Sequence, residues 1–331
     1  MKNTFKLLTI VFLFAFIHSC KKDKPTIPIV TTSTVKEISY TSATSGGNVT
    51  DDGGSITTRG VCWGTTSSPT ISDSKTEDGT GVGEFTSTLT GLSGNTTYYV
   101  RAYATNSAGT SYGDELSFDT YAAMDADGNL YNSVTIGMQI WLNENLKTTK
   151  YNDNTSIPYV PDNTTWNNSL SPGYCWYNND EASSKDTYGA LYNWYAVNTE
   201  KLCPLGWHVP SHTEWKTLEV YLGMTQQQAD FSGGFRGTDE GGKLKETGTT
   251  HWLSPNTGAT NETGFNAVPG GYRKYSGSYL WVGELGYWWS ATEHAYLDAY
   301  YRGLFYNYSS IYAGYTNVKV SGQSVRCLKD N

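Results

Sequence analysis

The sequence predicts two folded regions of different class, an all-β sandwich followed by an α+β domain, behind a short targeting segment. Three observations predict this. Lys2 and Lys6 precede an apolar run, Leu7 to Ile17, that ends at Ser19 before Cys20. Residues 34–120 alternate short apolar runs with Gly- and Asp-rich clusters. From Met124 onward the pattern changes to helix-spaced aromatics separated by Gly-rich loops.

Residues 1–19 read as a targeting segment, because the apolar run is too short to span a bilayer as a stop-transfer helix. Ile17-His18-Ser19-Cys20 resembles a bacterial lipobox. The resemblance implies that Cys20 is acylated and becomes the first residue of the mature chain, with the membrane as a partner. Anchoring by more than one acyl chain is stable, since each buried CH₂ contributes roughly 0.8 kcal/mol. The expected location is the bacterial cell envelope, at the outer membrane. Residues 20–33 carry Lys21, Lys22 and Lys24, then Pro25 and a Thr-rich stretch, and read as an extended tether.

Loss of Lys2 and Lys6 with the targeting segment moves the net charge from −8 to −10. No basic patch remains, which argues against nucleic acid as a partner. Charged residues make up only 16% and aromatics 14%, so the surface must be built largely from Thr, Ser, Asn, Gly and Tyr. Such a surface suits contact with sugars or other proteins outside the cell. Cys62, Cys175, Cys203 and Cys327 remain in a compartment that permits disulfides, at spacings that match no zinc site.

In residues 34–120, Gly46-Gly47, Asp51 to Gly54, Gly79 to Gly83 and Gly91 to Asn95 read as turns. Thr97 to Asn106 is the clearest strand, with Tyr98, Val100, Ala102 and Ala104 on one face. Leu92 followed by Tyr98 and Val100 resembles the tyrosine corner of a fibronectin type III or immunoglobulin-like domain. Asn106 to Gly109 then turns into a final strand, Ser111 to Phe118. Arg59 to Gly64 reads as a partner strand, with Cys62 buried as a small hydrophobe. A spacer role is expected, so Trp63 and Tyr103 are read as core.

In residues 124–331, Ser211-His212-Thr213-Glu214 is a capping box after Pro210. Trp215, Leu218 and Leu222 follow at helical spacing, and Gly223 ends the helix. Thr225 to Gln228 repeats the capping pattern. Tyr188 to Val197 reads as a helix, and the remainder after Gly233 as strands and loops. Asp125 to Pro158, Tyr188 to Val197, Cys203 to Trp215, Gly241 to Glu246, Gly264 to Glu293 and Ser324 to Asp330 together resemble the Fibrobacter succinogenes major paralogous domain. That family is similar to C-type lectin-like folds, including the formylglycine-generating type. The resemblance implies two helices on twisted antiparallel sheets with long late loops. It also implies a Cys203–Cys327 disulfide, with Cys175 unpaired.

The ligand face implied by the resemblance is the late tract His294 to Asn317. Tyr296, Asp298, Asn307, Tyr308, Tyr312 and Tyr315 are its candidate binding residues, with Arg302 as a further polar contact. Which side chains of the strand Ala299 to Tyr306 face the core depends on register. His208 and His212 flank Pro210 and Ser211, so they share no helical face and are not read as a metal pair. Asp239, Glu240, Asn261 and Glu262 are read as solvated loop residues, with calcium the cofactor they would suit. No catalytic constellation stands out. The expected function is non-catalytic binding of an extracellular glycan or protein. The alternatives are an enzyme of the formylglycine-generating type, which predicts a deep pocket, and a structural surface protein, which predicts inward-packed tyrosines.

Overall fold

The computed structural model describes residues 24–54 and 58–330, so the targeting segment and Cys20 lie outside the described residues. The first region contains β1 (Ile29–Thr32), β2 (Ser42–Asp51), β3 (Thr58–Gly64), β4 (Ser74–Lys75), β5 (Gly83–Thr90), β6 (Thr97–Asn106), β7 (Gly109–Tyr112) and β8 (Leu116–Asp119). They form two antiparallel sheets, β1-β2-β5 and β4-β3-β6-β7, with β8 also paired to β6. Inward-facing Ala43, Val61, Leu89, Val100 and Phe118 fill the space between them. This strand order is that of an immunoglobulin-like, fibronectin type III sandwich. Its corner is present: the Tyr98 hydroxyl accepts from the Ser93 N–H at 2.9 Å. Trp63 and Tyr103 are buried in the sandwich, as is Cys62.

Three expectations for this region change. Ile29–Thr32 is not tether: it pairs with β2 and buries Val30, so the sandwich begins before residue 34. Gly46-Gly47 is no turn but lies in mid-strand, where a Cβ on Gly47 would sit 2.6 Å from that of Ala102. Close sheet approach, rather than chain reversal, requires glycine there. The final strand is broken between Tyr112 and Leu116 into two segments, both on β6.

The second region opens with β9 (Ala123–Met124) and β10 (Leu130–Tyr131) around the Asp125 turn, whose carboxylate accepts from the Asp127 and Asn129 N–H groups. β11 (Ser133–Ile136) and β12 (Gln139–Leu142) follow as a hairpin. The last strand, β22 (Leu328–Lys329), inserts between β12 and β15 (Trp207–His208), so the beginning and end of the region share one sheet. The Cys203–Cys327 disulfide ties the segment leading into β15 to the segment leading into β22. Closing so long a loop stabilises by about 4 to 5 kcal/mol in the chain-entropy model.

Between these ends lie short elements: α1 (Asn163–Asn168), β13 (Tyr174–Cys175), α2 (Glu181–Tyr188), β14 (Leu191–Tyr192) and α3 (Trp194–Val197). The expected single helix over Tyr188 to Val197 is therefore wrong. Gly189, at φ 74°, ends α2, and Leu191–Tyr192 pairs with β13 before α3 starts at the Asn193 cap. Helix α4 (His212–Leu222) has both halves of the Ser211–Glu214 capping box and buries Trp215, Leu218 and Leu222. α5 (Gln226–Asp230) has its Thr225–Gln228 box. Beyond Gly233 the chain forms β16 (Gly234–Arg236), β17 (Tyr272–Arg273), β18 (Tyr279–Leu280), β19 (Leu285–Glu293), β20 (Asp298–Phe305) and β21 (Ile311–Val318). It also contains α6 (Glu240–Leu244), which the reading as strands and loops missed. β16-β21-β20-β19 is the late sheet, and α4 packs on it.

Candidate functional site

Register decides what each side of the late sheet carries. Gly303 stands opposite both Tyr287 and Tyr312, and Tyr301 stands opposite Gly314. Tyr287, Tyr301, Tyr312 and Phe305 therefore share one side, the front. The glycines are required: a Cβ on Gly303 would lie 2.6 Å from the Tyr287 ring, and one on Gly314 2.1 Å from that of Tyr301. The phenol rings lie across backbone that no other residue leaves open.

The front rings form a continuous chain. Tyr272 meets Tyr287 at 5.2 Å, Tyr287 meets Tyr301 at 4.9 Å, and Tyr301 meets Tyr312 at 6.0 Å. Phe235 stacks on Tyr308 at 4.2 Å and touches Tyr312 and Phe305 edge-on. Trp281 packs on Tyr272 at 5.6 Å. The middle rings, Tyr287 and Tyr301, are buried, whereas Trp281 is 45% exposed, Tyr308 44% and Phe235 38%. Trp281 holds φ at 63°, a conformation unusual for a bulky residue. Burial pushes the phenols of Tyr272, Tyr287 and Tyr301 above their ordinary range, so all three stay neutral. Among the described residues, every cation–π contact falls on rings elsewhere, such as Trp166, Trp194, Trp252 and Phe265.

The back side is closed. Arg302 donates through Nε to Glu219 Oε1 at 2.5 Å, and Arg236 pairs with the other oxygen. Trp288, Leu304 and Ile311 pack with Trp215 and Leu218 of α4 around them. Glu219 and both arginines are buried. His212 stacks on Tyr300 at 3.9 Å, and its Nδ1 lies 3.1 Å from the Arg302 guanidinium. Burial holds its imidazole neutral, down to about 3.

Three more buried cations hold loops without any carboxylate. The Lys245 ammonium donates to the carbonyls of Thr257, Phe305 and Tyr308 at 2.9–3.0 Å. Burial pushes it down to about 8. Arg273 donates to Val160 and Pro161 carbonyls and stacks on Trp166. Arg326 donates to Leu142 and Phe265 carbonyls and lies over the Phe265 ring. These cations sit in Gly241 to Glu246, Gly264 to Glu293 and Ser324 to Asp330. The motifs are thus loop clamps. Lys245 in particular fixes the backbone beneath two rings of the front face.

A family model, the Fibrobacter succinogenes major domain, matches residues 134–329. The chain belongs to this family. Its matched segment runs from β11 to β22 and contains the late sheet and all three clamps. Comparison with curated proteins finds no match. Among solved structures, a sensor domain of the anti-sigma factor RsgI4 of Pseudobacteroides cellulosolvens is 20% identical, with 28% of this chain and 93% of that one covered at a TM-score of 0.23. A fibronectin type III domain from the human KIAA0970 protein is 10% identical over 28% of this chain and 72% of its own, at a TM-score of 0.20. The sandwich assignment rests on the strand order and the tyrosine corner rather than on these likenesses.

The structure divides the expected binding residues. Tyr308 and Tyr312 join the front face, and Asn307 is exposed in the turn beside them. Tyr315 does not join them: it stacks on His294 at 4.3 Å, on the back side. Tyr296, 85% exposed, and Asp298 lie at the β19–β20 hairpin, where Asp298 closes the turn against Ala295. The eight residues of β20 separate that turn from Tyr308 by roughly 25 Å. Arg302 is buried with Glu219 and offers no ligand contact. Trp281, Tyr272, Tyr287 and Phe235 were not anticipated, because partners across a sheet are invisible until register is set.

The loop acids are engaged within the protein. Glu240 is buried and accepts from the Thr238 and Asp239 N–H groups, and Asn261 accepts from the Asn266 N–H. The Lys243 ammonium lies 3.5 Å from Asp239 and 4.0 Å from Glu262. Among the described residues no group of three or more His, Cys, Asp or Glu stands ready to hold a metal. His208 bridges Asp330 at 2.7 Å and Glu214 at 3.0 Å, clasping the chain end to the start of α4. Glu214 and Asp330 raise its imidazole to about 9, and His208 with the Ser211 cap lowers Glu214 to about 2.

Proposed function

We propose that this chain is a lipid-anchored envelope protein whose immunoglobulin-like spacer carries a C-type lectin-like head, and that the head binds an extracellular glycan or protein without catalysing a reaction. The observation that carries this reading is the front face of the late sheet, a shallow row of aromatic rings exposed at both ends. Rigid tyrosine and tryptophan give contact area at low entropy cost. A lectin-like head is supported by the pairing of the early hairpin strand β12 with the last strand β22 beside the Cys203–Cys327 disulfide, with long loops leading to the late sheet. The anchor rests on the sequence around Cys20. A purely structural role calls for Tyr308 and its neighbours to pack inward, and the exposure of Tyr308, Phe235 and Trp281 opposes that.

One observation favours a catalytic reading. A polar cleft of about 330 Å³ is lined by Glu144, Lys147, Glu246 and His251, and Glu246 holds His251 Nδ1 at 2.8 Å. Chemistry of the formylglycine-generating type is disfavoured by the cysteines. Cys62 and Cys175 lie in different regions, and burial pushes both thiols up to about 11, far from a reactive pair.

The test is saturable binding of the full chain, held in detergent, to glycan and extracellular-protein arrays, with calcium and with chelator. Phe235→Ala with Tyr308→Ala is expected to weaken binding tenfold or more while thermal unfolding stays in place. Chelator is expected to change nothing, since Lys243 already lies between Asp239 and Glu262. Full binding by the double variant would remove the front face from the proposal, and loss of binding with His251→Gln alone would favour the cleft.

A further inference from the structure

Resting on the reading of the head as a binding module, we infer that the front face takes an uncharged, extended polysaccharide chain laid from Trp281 to Tyr308, several sugar units at once. Direction comes first. Trp281, Tyr272, Tyr287, Phe305 and Tyr308 follow one another at centroid steps of 5.6, 5.2, 6.0 and 6.2 Å, which bounds the end-to-end span at about 23 Å. The two end rings are exposed and the rings between them are sunk, so the row forms a shallow track rather than a knob or a closed pocket.

Charge decides the occupant. Elsewhere the domain spends its cations on aromatic rings: Arg273 on Trp166, Lys319 on Trp194, Arg326 on Phe265. No such contact reaches the rings of this track among the described residues, and burial keeps the phenols of Tyr272 and Tyr287 neutral. An anionic chain would therefore find no counter-charge stacked on the rings. A pyranose ring fits: its C–H faces are weakly positive and meet the negative face of an aromatic ring. Its rim hydroxyls need polar partners. The Tyr272 and Tyr287 hydroxyls bond to no other described residue and are not sealed from solvent, so they can supply them.

Native electrophoresis of the full chain in detergent, through gels holding neutral glucans, xylan or mannan or the polyanion polygalacturonate, tests this. Titration with neutral oligosaccharides of two to six units, read by tryptophan fluorescence, follows for any polymer that retards the chain. Retardation by a neutral polymer alone is expected, with affinity rising about tenfold or more from the shortest to the longest oligomer. Trp281→Ala and Tyr308→Ala are each expected to lose about tenfold on the longest oligomer, with thermal unfolding unchanged. Equal affinity for all lengths, retardation by the polyanion alone, or failure of every neutral polymer overturns the inference. If neutral polymers fail while a protein on the array binds and is lost with Tyr308→Ala, the glycan chain falls and the binding head stands. If nothing binds, both fall.

Discussion

The two sides of the late sheet are built from the same four strands and differ in how their side chains are satisfied. The back side spends charge on itself: Glu219 is shared by Arg236 and Arg302, and α4 with Trp215 and Leu218 covers them. The front side carries mostly rings: Tyr287 and Tyr301, beside Gly303 and Gly314, are buried with Leu285 and Trp289 in the domain core, and Phe235 and Tyr308 are left partly in water. One side is wholly committed to the fold, and the other is committed at Tyr287 and Tyr301 and left unpartnered only at its exposed ends. Stability and binding are therefore expected to separate by side.

The largest effect should come from the back. Glu219→Ala leaves two buried guanidiniums without a counter-charge, and a loss of about 3 to 5 kcal/mol is expected in denaturant unfolding. A loss under about 1 kcal/mol would show that the pair is not the keystone of that side. Next is the clamp between the sides. Lys245→Met strands three buried carbonyls, and a loss of about 2 to 3 kcal/mol is expected. Because two of those carbonyls belong to Phe305 and Tyr308, binding should weaken with stability in this variant, and in this variant only.

Legibility in the sequence follows the same division. The sandwich was readable because period-2 alternation from Tyr98 to Ala104 and a tyrosine six residues after Leu92 are local signals. Helix α4 was readable through its capping box and Gly223. The Cys203–Cys327 pair came through family resemblance, not spacing. The clamps were not legible, since a lysine satisfied by three carbonyls from distant loops leaves no pattern along the chain. Tyr188 to Val197 looked helical because its apolar residues fit a stripe, and the reading gave too little weight to Gly189. At the site, the tyrosine-rich tract was noticed but not sorted. Alternation sets Tyr312 and Tyr315 on opposite faces but cannot say which face is which, nor that Trp281 and Phe235 arrive from other segments.

A smaller effect concerns pH. His208 is raised to about 9, so its share of stability is full below its ordinary value of 6.5 and is lost as pH rises toward 9. Glu214 is lowered to about 2, so its share is full above its ordinary 4.5 and is lost as pH falls toward 2. The clasp is strongest between pH 4.5 and 6.5. Both groups are partly exposed, and screening limits the change to about 1 kcal/mol or less. His208→Gln should flatten the fall in stability between pH 6.5 and 9 seen in urea titrations. An unchanged slope would remove His208 as its cause.

The smallest expected change in stability belongs to the front side, and it tests the central claim most directly. Urea unfolding of Tyr308→Ala, set beside Glu219→Ala in the same full chain, compares the two sides in one measurement. The front variant should unfold within about 1 kcal/mol of the parent, since its ring is already 44% exposed, while the back variant falls by several. If the front variant falls as far as Glu219→Ala, the rings are core, and the front face is no binding surface.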